Sequence, residues 1–145
     1  MKVREVMSSK PVCCTPSDTA QRAAKLMRDH NVGSLPVVND QDGAQLLGMV
    51  TDRDLCISVI ANGLDPKTST IEKAVTANPV TVREGENLDM AEKAMQERQV
   101  RRIPVVDGGG RCVGIVAQAD LALKDKPEKV HRTVAEISKP QHAVA

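Results

Sequence analysis

Apolar residues recur at the spacing of one helical face in two separate stretches of the chain. In the first stretch, Ala20 is followed by apolar residues three, four and seven positions later, and in the second, Leu88 begins a similar series that ends at Met95. A period near 3.6 residues predicts an amphipathic helix with one buried face. Thr19 and Asn87 stand just before these stretches, at positions where each can cap its helix.

Short apolar runs around these helices predict strands. The runs are rich in Val, Leu and Ile and are bounded by Gly, Pro or Asp. A short extended piece precedes each helix, two strands follow it, and a second helix then opens at Asp52 or at Gln118. The extended pieces are Pro11–Cys14 and Pro79–Val82, and the later strands are Leu35–Val38, Leu46–Val50, Ile103–Val106 and Cys112–Val116. The predicted order in each half is therefore β-α-β-β-α.

The two halves of the chain repeat one another. Residues 11–38 align with residues 79–106 at an offset of 68, and nine of these 28 positions are identical. After a turn that is two residues shorter in the second copy, residues 48–55 (GMVTDRDL) face residues 114–121 (GIVAQADL) at an offset of 66. Turns tolerate a change of length better than strands and helices do, so the shifted offset is compatible with a true repeat.

The repeat predicts two domains, at residues 2–64 and 71–125, joined by a linker at 65–70 and followed by a C-terminal helix or tail at 126–145. Val3–Met7 and Ile71–Val75 are equivalent lead-in segments, and Lys139–Ala145 is expected to be unstructured. Each half has only about 60 residues, too few to close a large core alone. We therefore expect the halves to share one core around a pseudo-twofold axis.

Composition and charge narrow the range of functions. Lys plus Arg number 20 and Asp plus Glu 19, so the net charge of +1 gives no bulk attraction to nucleic acid or to an anionic membrane. The complete absence of Phe, Tyr and Trp weakens any model in which bases stack on aromatic side chains. No apolar run approaches the roughly 20 residues of a membrane span. The opening Met1-Lys2-Val3-Arg4 does not resemble a signal peptide, so we expect a cytoplasmic protein.

The four cysteines, Cys13, Cys14, Cys56 and Cys112, form no C-x-x-C pair, and no histidine lies at zinc-ligand spacing from them. We interpret them as reduced, small apolar residues, with a redox or metal role as the alternative. The sequence also shows no nucleophile–base pair, metal cluster or P-loop. We therefore expect no catalytic residue, no metal site and no enzyme activity.

One segment after the second strand has the chemistry of a ligand site. Thr51 stands where that strand becomes a helix, and the start of a helix attracts anions. Asp54 lies one turn further on, and its carboxylate can accept hydrogen bonds from the 2′- and 3′-hydroxyls of a ribose. Arg101 and Arg102 are candidates for neutralising a phosphate. In the alternative interpretation, Thr51 is only a helix cap, and Asp52 and Asp54 only complement the helix dipole.

A β-α-β-β-α unit that carries G-h-h-[ST]-x-x-D after its last strand (h, hydrophobic) resembles a CBS domain, and two in tandem resemble a Bateman module. The similarity covers about residues 2–125. The stretch GMVTDRDLCISVIANGLDP is similar to the equivalent segment of stand-alone pairs of this family, such as the hypoxic response proteins. The resemblance implies an α+β fold and a non-catalytic regulatory module for an adenosine-containing ligand. AMP, ADP and ATP are the first candidates, and S-adenosylmethionine and NAD(H) are further ones.

The resemblance also implies two composite sites, each combining the T-x-x-D segment of one repeat with the first strand and pre-strand residues of the other. Adenine would lie between aliphatic side chains. The preferred site comprises Met49, Thr51, Asp54, Val80, Thr81, Val100, Arg101 and Arg102. The weaker site comprises Val12, Val32, Gly33, Ile115, Ala117 and Asp120. The second set departs from the family pattern, because Ala117 has no hydroxyl and Gly33-Ser34 replaces the arginine pair.

Partners follow from the same resemblance. The sequence shows no attached enzyme or channel, so its output requires an unknown effector protein or a change of oligomeric state. Pairs of this kind form homodimers through their helices, which we expect here. The alternative function is a structural or protein-interaction dimer whose sites have decayed and bind no nucleotide, and Ala117 favours it. A nucleic-acid-binding patch of Arg98, Arg101, Arg102 and Arg111 is less favoured, given the net charge of +1.

Overall fold

The computed structural model describes residues 1–140, in two compact units. The first-repeat unit comprises Pro11–Pro79 and Gly109–Cys112. The second-repeat unit comprises Met1–Lys10, Val80–Gly108 and the chain from Val113 onward. Within residues 1–140, no helix is long and apolar enough to cross a membrane.

The main helices and strands of each repeat follow the predicted β-α-β-β-α order, and an additional two-residue strand follows each lead-in segment. The strands are β1 (Ser8–Ser9), β2 (Ser34–Val38), β3 (Leu46–Thr51), β4 (Thr76–Ala77), β5 (Val82–Arg83), β6 (Arg102–Val106) and β7 (Cys112–Ala117). The helices are α1 (Ala20–His30), α2 (Asp52–Leu55, continued as π-helix over Cys56–Ile60), α3 (Leu88–Arg98), α4 (Gln118–Lys124) and α5 (Pro127–Ser138). The α+β class predicted from the repeat is confirmed. The first extended piece of repeat one is reduced to a single parallel bridge, between Cys14 and Val37.

The first-repeat unit is built on a three-stranded sheet in the order β2-β3-β4. Strands β2 and β3 are antiparallel, with Leu35 opposite Val50 and Pro36 opposite Met49, which confirms the predicted pairing of Leu35–Val38 with Leu46–Val50. One apolar core lies between this sheet and helix α1. Its buried members are Cys14, Ala20, Ala23, Met27, Leu35, Val37, Val50, Leu55, Val59, Ile71 and Ala74.

The second-repeat unit has a four-stranded sheet in the order β1-β7-β6-β5. Strands β5 and β6 are parallel, with Val82 opposite Val105, and β1 is antiparallel to β7. Helix α5 packs against α3, where Gln96 Nε2 donates to Thr133 Oγ1 at 3.0 Å. The core residues are Val3, Val6, Val82, Leu88, Ala91, Ala94, Met95, Ile103, Val105, Val116, Leu121 and Ile137.

Each lead-in segment belongs to the unit of the other repeat. Val3 N–H donates to Glu86 C=O, and Ile71 N–H donates to Asp18 C=O, both at 2.9 Å. A β-carbon on Gly48 would lie 2.5 Å from the Thr76 carbonyl oxygen, so β3 needs glycine where this second lead-in crosses it. The exchange lets each half complete its core with apolar residues from the other half's sequence.

The ends of α1 and α3 are similar in the two repeats, but their N-terminal caps differ. Thr19 Oγ1 accepts a hydrogen bond from Arg22 N–H at 3.1 Å, which confirms the predicted cap of α1. Asn87 occupies the equivalent position, but its side chain makes no capping hydrogen bond and instead accepts from Lys2 Nζ at 3.2 Å. The C-cap residues that follow α1 and α3 are Asn31 and Gln99, which are 68 positions apart and both left-handed, with φ of 53° and 52°.

The sequence did not distinguish between a helix and a tail at residues 126–145, and the structure shows helix α5 at Pro127–Ser138. Helix α5 begins with Pro127 in its first turn, a position where proline's missing N–H costs nothing. The helix ends at Ser138, and Gln99 Nε2 donates to the Lys139 carbonyl at 2.8 Å. Residues 141–145 of the predicted unstructured tail lie outside the described residues.

Candidate functional site

A reciprocal pair of hydrogen bonds fixes the junction between β3 and α2. Thr51 N–H donates to Asp54 Oδ2 at 2.9 Å, and Asp54 N–H donates to Thr51 Oγ1 at 3.0 Å. This capping box forms because it satisfies two N–H groups that a helix start leaves without partners. Thr51 is therefore the cap of α2, as one interpretation predicted, and Asp54 does more than complement the helix dipole, because it accepts a hydrogen bond within the same capping box. The capping box leaves Asp54 Oδ1 and the hydroxyl proton of Thr51 without a hydrogen-bond partner among residues 1–140.

Along the end of β3, every second side chain points away from the core. Met49 and Thr51 are half-buried, whereas Gly48 and Val50 are buried, since successive residues of a strand point to opposite faces. Asp52 N–H donates to the carbonyl of Gly33 at 3.0 Å, which holds the residue before β2 beside the helix start. Gly33 thus lies beside the end of β3, next to Thr51, and Met49 lies two residues earlier on the same face of that strand.

The equivalent junction in the second-repeat unit keeps only half of this arrangement. Ala117 N–H donates to Asp120 Oδ2 at 2.8 Å, as in the first repeat, but a methyl group replaces the hydroxyl. Gln118 N–H donates to the carbonyl of Arg101 at 2.8 Å, so the residue before β6 lies beside its own helix start. The junction therefore holds a carboxylate of the same geometry without the second polar group.

The two arginines predicted to meet phosphate lie at the start of β6. Arg101 is exposed and Arg102 is half-buried. Neither guanidinium forms an ion pair with a carboxylate of the described chain, where the recorded pairs involve Arg28, Lys93, Lys129 and Lys139. The positive charge of both arginines is thus available to an anionic ligand.

The apolar members of the predicted sites lie at the ends of secondary-structure elements. Val32 and Val100 follow the ends of α1 and α3, and they are 43% and 36% exposed. Val12 and Val80 occupy equivalent, half-buried positions ahead of the first strand of each repeat, and Thr81 beside Val80 is exposed. Ile115 is half-buried on β7.

The structure brings together some of the predicted residues within each unit. Met49, Thr51 and Asp54 lie in the first-repeat unit with Val12, Val32 and Gly33. The other predicted residues lie in the second-repeat unit: Val80, Thr81, Val100, Arg101, Arg102, Ile115, Ala117 and Asp120. Each predicted composite site takes residues from both units, so its assembly remains a prediction.

A cleft in the first-repeat unit contains residues that sequence reasoning missed. Its volume is about 450 Å³, and it is lined by Pro11, Val12, Cys13, Thr15, Asp18, Arg22, Leu26 and Gln41. Asp18 Oδ2 accepts from Thr15 N–H at 2.8 Å, which closes the turn before α1. Among these lining residues, only Val12 was predicted to be a ligand-binding residue. Asp18 and Arg22 lie close to the Thr19 helix cap in the sequence, and this proximity is the only sequence feature that could have pointed to them.

The described part of the chain contains no cluster of metal-binding side chains. Among residues 1–140, no three His, Cys, Asp or Glu side chains are grouped so that they could hold a metal ion.

Comparison with known proteins gives a consistent family assignment. The family model for the CBS domain matches residues 3–60 and again residues 71–125. Hypoxic response protein 1 of Mycobacterium tuberculosis is 39% identical over 119 residues, which are 82% of this chain and 81% of that protein.

Solved structures share the fold. A crystal structure of Hypoxic Response Protein I with two coordinated zinc ions has a TM-score of 0.77 at 36% identity, covering 87% of this chain and 100% of the other. The CBS domain pair of protein MJ0100, in complex with 5′-methylthioadenosine and S-adenosyl-L-methionine, has a TM-score of 0.75 at 31% identity, covering 85% and 94%. CBSX2 in complex with AMP has a TM-score of 0.68 at 26% identity, covering 95% and 98%.

Proposed function

The chain belongs to the CBS domain family, and from this premise we propose that it is a non-catalytic regulatory module that binds an adenosine nucleotide: AMP, ADP or ATP. Two structural neighbours support an adenosine ligand, since one is a complex with AMP and another with 5′-methylthioadenosine and S-adenosyl-L-methionine. The observation that carries the proposal for this chain is the Thr51–Asp54 junction, where polar groups remain free after the helix is capped.

Asp54 is suited to recognise ribose. Its Oδ2 is used by Thr51 N–H, which fixes the orientation of the carboxylate, and Oδ1 has no donor among residues 1–140. A fixed carboxylate oxygen can accept hydrogen bonds from vicinal hydroxyls without an entropic cost of ordering its own side chain. Ribose is the part of an adenosine ligand that offers such a pair of hydroxyls.

Thr51, Arg101 and Arg102 are suited to the phosphates. The Thr51 oxygen already accepts from Asp54 N–H, so its hydroxyl proton can donate to a phosphate oxygen. The unpaired guanidinium groups of the two arginines supply planar, charged donors that match phosphate geometry. The proposal places adenine between Met49, Val80, Thr81 and Val100, whose side chains are aliphatic or small.

We propose a weaker second site, built from Val12, Val32, Gly33, Ile115, Ala117 and Asp120. Asp120 keeps the ribose-binding oxygen, because Oδ2 alone accepts from Ala117 N–H. Ala117 offers no hydroxyl, and Gly33-Ser34 offers no positive charge. A phosphate in this site would therefore lack both of the contacts proposed for the first.

A structural or protein-interaction module that binds no nucleotide is the second candidate function, and it is favoured by Ala117, which lacks a hydroxyl group.

We expect a homodimer under either candidate function. Exposed apolar side chains support it in the first-repeat unit, where Ile57 is 52% and Ile60 is 67% exposed on the π-helical continuation of α2. The zinc of the hypoxic response neighbour is not part of this proposal, since residues 1–140 contain no cluster of three or more His, Cys, Asp or Glu side chains that could hold a metal ion.

A thermal-shift screen separates the two candidates. AMP, ADP, ATP, S-adenosylmethionine and NAD are compared with GMP and GTP, which carry the same ribose and phosphates on another base. A ligand at 100 times its Kd stabilises the folded state by about 2.7 kcal/mol. Stabilisation by the adenosine nucleotides, without stabilisation by GMP or GTP, supports the proposal. No shift with any of them, together with a dimer in solution, supports the interaction protein instead.

A further inference from the structure

A row of polar side chains connects α3 to α5 within the second-repeat unit. The residues of this row recur every three or four positions along α3 and its C-cap, and we call them the α3 stripe: Asp89, Glu92, Gln96 and Gln99. Asp89 Oδ1 accepts from Lys129 Nζ at 2.8 Å, and Gln96 Nε2 donates to Thr133 Oγ1 at 3.0 Å. Gln99 Nε2 donates to the carbonyls of Glu136 at 3.3 Å and Lys139 at 2.8 Å. Helix α5 therefore runs along the whole α3 stripe.

The apolar core of the second-repeat unit depends little on α5. Among residues 1–140, eleven of the twelve buried apolar residues of this core lie outside α5, and Ile137 is the one that α5 supplies. Val130 packs against the same core from a half-buried position. An element with few buried apolar contacts opens at a lower free energy than the core that it covers. The four-stranded sheet can therefore stay folded when α5 moves away.

The docked position of α5 leaves a buried carboxyl oxygen without a partner. Glu92 is 6% exposed, and its Oε1 has no hydrogen-bond partner among residues 1–140. It lies one helical turn from Asp89 and from Gln96, which both bond to α5, so α5 passes over it. Ala24, the counterpart of Glu92 in the first repeat, is exposed. A carboxylate buried in this way loses its hydration without gaining a donor, so the docked helix favours protonated Glu92.

The charged groups around Glu92 come from α3, from α5 and from the joint between α4 and α5. They are Asp89, Asp125 and Lys129, and Lys126 faces Asp125. Burial first, and then the hydrogen bond and negative charge of Asp125, raise the pKa of Glu92 to about 8. Lys129 acts in the opposite direction, but its ammonium is paired with Asp89 at 2.8 Å. Because water restores the ordinary pKa of an exposed carboxyl, moving α5 away releases a proton from Glu92.

Two extended residues form the joint between α4 and α5. Asp125 and Lys126 have ψ of 171° and 135°, and Pro127 begins α5 directly after them. We propose that α5 is a displaceable strap, which turns about Asp125 and Lys126 and leaves the α3 stripe when Glu92 ionises. The docked and open states differ by one proton, and the open state exposes the α3 stripe. The strap is independent of the proposed nucleotide sites, since none of its residues belongs to them.

Hydrogen exchange measured by mass spectrometry tests the strap on the full chain, from pH 5.5 to pH 7.5. The protection factor, which is the intrinsic exchange rate at each pH divided by the measured rate, is compared between peptides from α5 and peptides from β6 and β7. Release of one proton on opening changes the opening equilibrium by up to tenfold per pH unit. We expect the protection of α5 in the wild type to fall at least tenfold over this range, whereas β6 and β7 keep theirs.

Single variants separate the ionisation of Glu92 from the docking contacts. Glu92→Gln should keep the protection of α5 constant over this pH range, because glutamine does not ionise. Glu97→Gln, on the exposed side of α3, should behave as the wild type. Gln96→Ala removes one docking hydrogen bond and should lower the protection of α5 about 2- to 12-fold at every pH, with an unchanged pH dependence. His131 on the exposed side of α5 is retained in all these chains, so any effect of it is common to them.

Three results would overturn the strap. The first is protection of α5 in the wild type that does not change with pH. The second is the same pH dependence in Glu92→Gln as in the wild type. The third is a parallel loss of protection from α5, β6 and β7, because the whole second-repeat unit would then be opening.

Discussion

The carboxyl groups of Glu92 on α3 and Asp125 at the end of α4 lie against each other inside the second-repeat unit. Glu92 is 6% exposed, and Glu92 Oε1 and Asp125 Oδ2 are both buried with no hydrogen-bond donor among residues 1–140. Two carboxyl oxygens in contact can satisfy each other only if they share a proton. The other charges facing the pair are Asp89, Lys126 and Lys129, and Lys129 forms an ion pair with Asp89 at 2.8 Å.

The first prediction concerns the pH dependence of stability. Burial, followed by the hydrogen bond and negative charge of Asp125, raises the pKa of Glu92 from an ordinary 4.5 to about 8. The stability contributed by protonated Glu92 is therefore fully present below pH 4.5 and is lost as the pH rises through about 8. The hydrogen bond from Glu92 lowers the pKa of Asp125, whose own contribution is lost in acid. One proton accounts for at most about 1.4 kcal/mol per pH unit.

Glu92→Gln isolates this effect, because glutamine keeps a donor for Asp125 and does not titrate. Urea unfolding from pH 5 to pH 9 should show the variant gaining stability relative to the wild type as the pH rises. Glu97→Gln, on the exposed side of the same helix, should differ from the wild type by a constant amount. A wild-type to Glu92→Gln difference that does not change with pH would refute the shared proton.

The second prediction uses the difference between the two helix starts. Thr51→Ala removes the oxygen that caps α2, and we expect it to destabilise the nucleotide-free protein by about 1 kcal/mol. Ala117→Thr installs that oxygen at the equivalent start of α4 and should stabilise the protein by a similar amount. Chemical denaturation without ligand measures both. Two variants with unchanged midpoints would show that the capping box contributes nothing to folding.

The third prediction concerns the crossing of β3 by the second lead-in segment. Gly48→Ala would bring a β-carbon to 2.5 Å from both the Thr76 carbonyl oxygen and Val75 Cγ1. We expect a loss of roughly 1–3 kcal/mol, the usual cost of overpacking. Gly108→Ala is the matched control, since a β-carbon there meets nothing within 4 Å. Equal thermal midpoints for the two variants would contradict the close approach.

The repeat and its elements could be predicted because their signals are local. Apolar spacing defines α1 and α3, and the paired runs define β2 and β3, each within a dozen neighbouring residues. Thr51 as a cap could be read from an acid three positions later. These features depend on residues that are close in sequence, so a single sequence contains them in full.

Contacts between residues that are far apart in the sequence could not be predicted from local patterns. Glu92 lies four residues after Leu88, at the spacing of the buried face of α3, but nothing in the sequence indicates that Asp125, from another helix, is its partner. Asn87 has the chemistry of a cap but is engaged by Lys2 from the exchanged lead-in segment. Each case depends on a partner that no sequence period indicates.

The fourth prediction concerns assembly. We expect light scattering at high concentration to give about twice the chain mass of 15.6 kDa. Ile60→Asp places a charge at a 67% exposed apolar position and should shift the protein toward the monomer if this surface is the interface. Leu123→Asp, at an 83% exposed position in the second-repeat unit, tests the other helix. A wild-type monomer of 15.6 kDa would contradict the dimer.

The most direct test of the proposed function is titration calorimetry with AMP and ATP on the wild type, Asp54→Ala and Asp120→Ala. The two variants remove equivalent capping contacts, of 2.9 Å and 2.8 Å, so they should lose similar stability. Losing a hydrogen bond to a charged group costs roughly 1.5–3 kcal/mol, which is about 10- to 150-fold in Kd. We expect close to one nucleotide per wild-type chain, little change for Asp120→Ala, and loss of most of the heat for Asp54→Ala. Two equal sites per chain, or binding lost only in Asp120→Ala, would contradict the account.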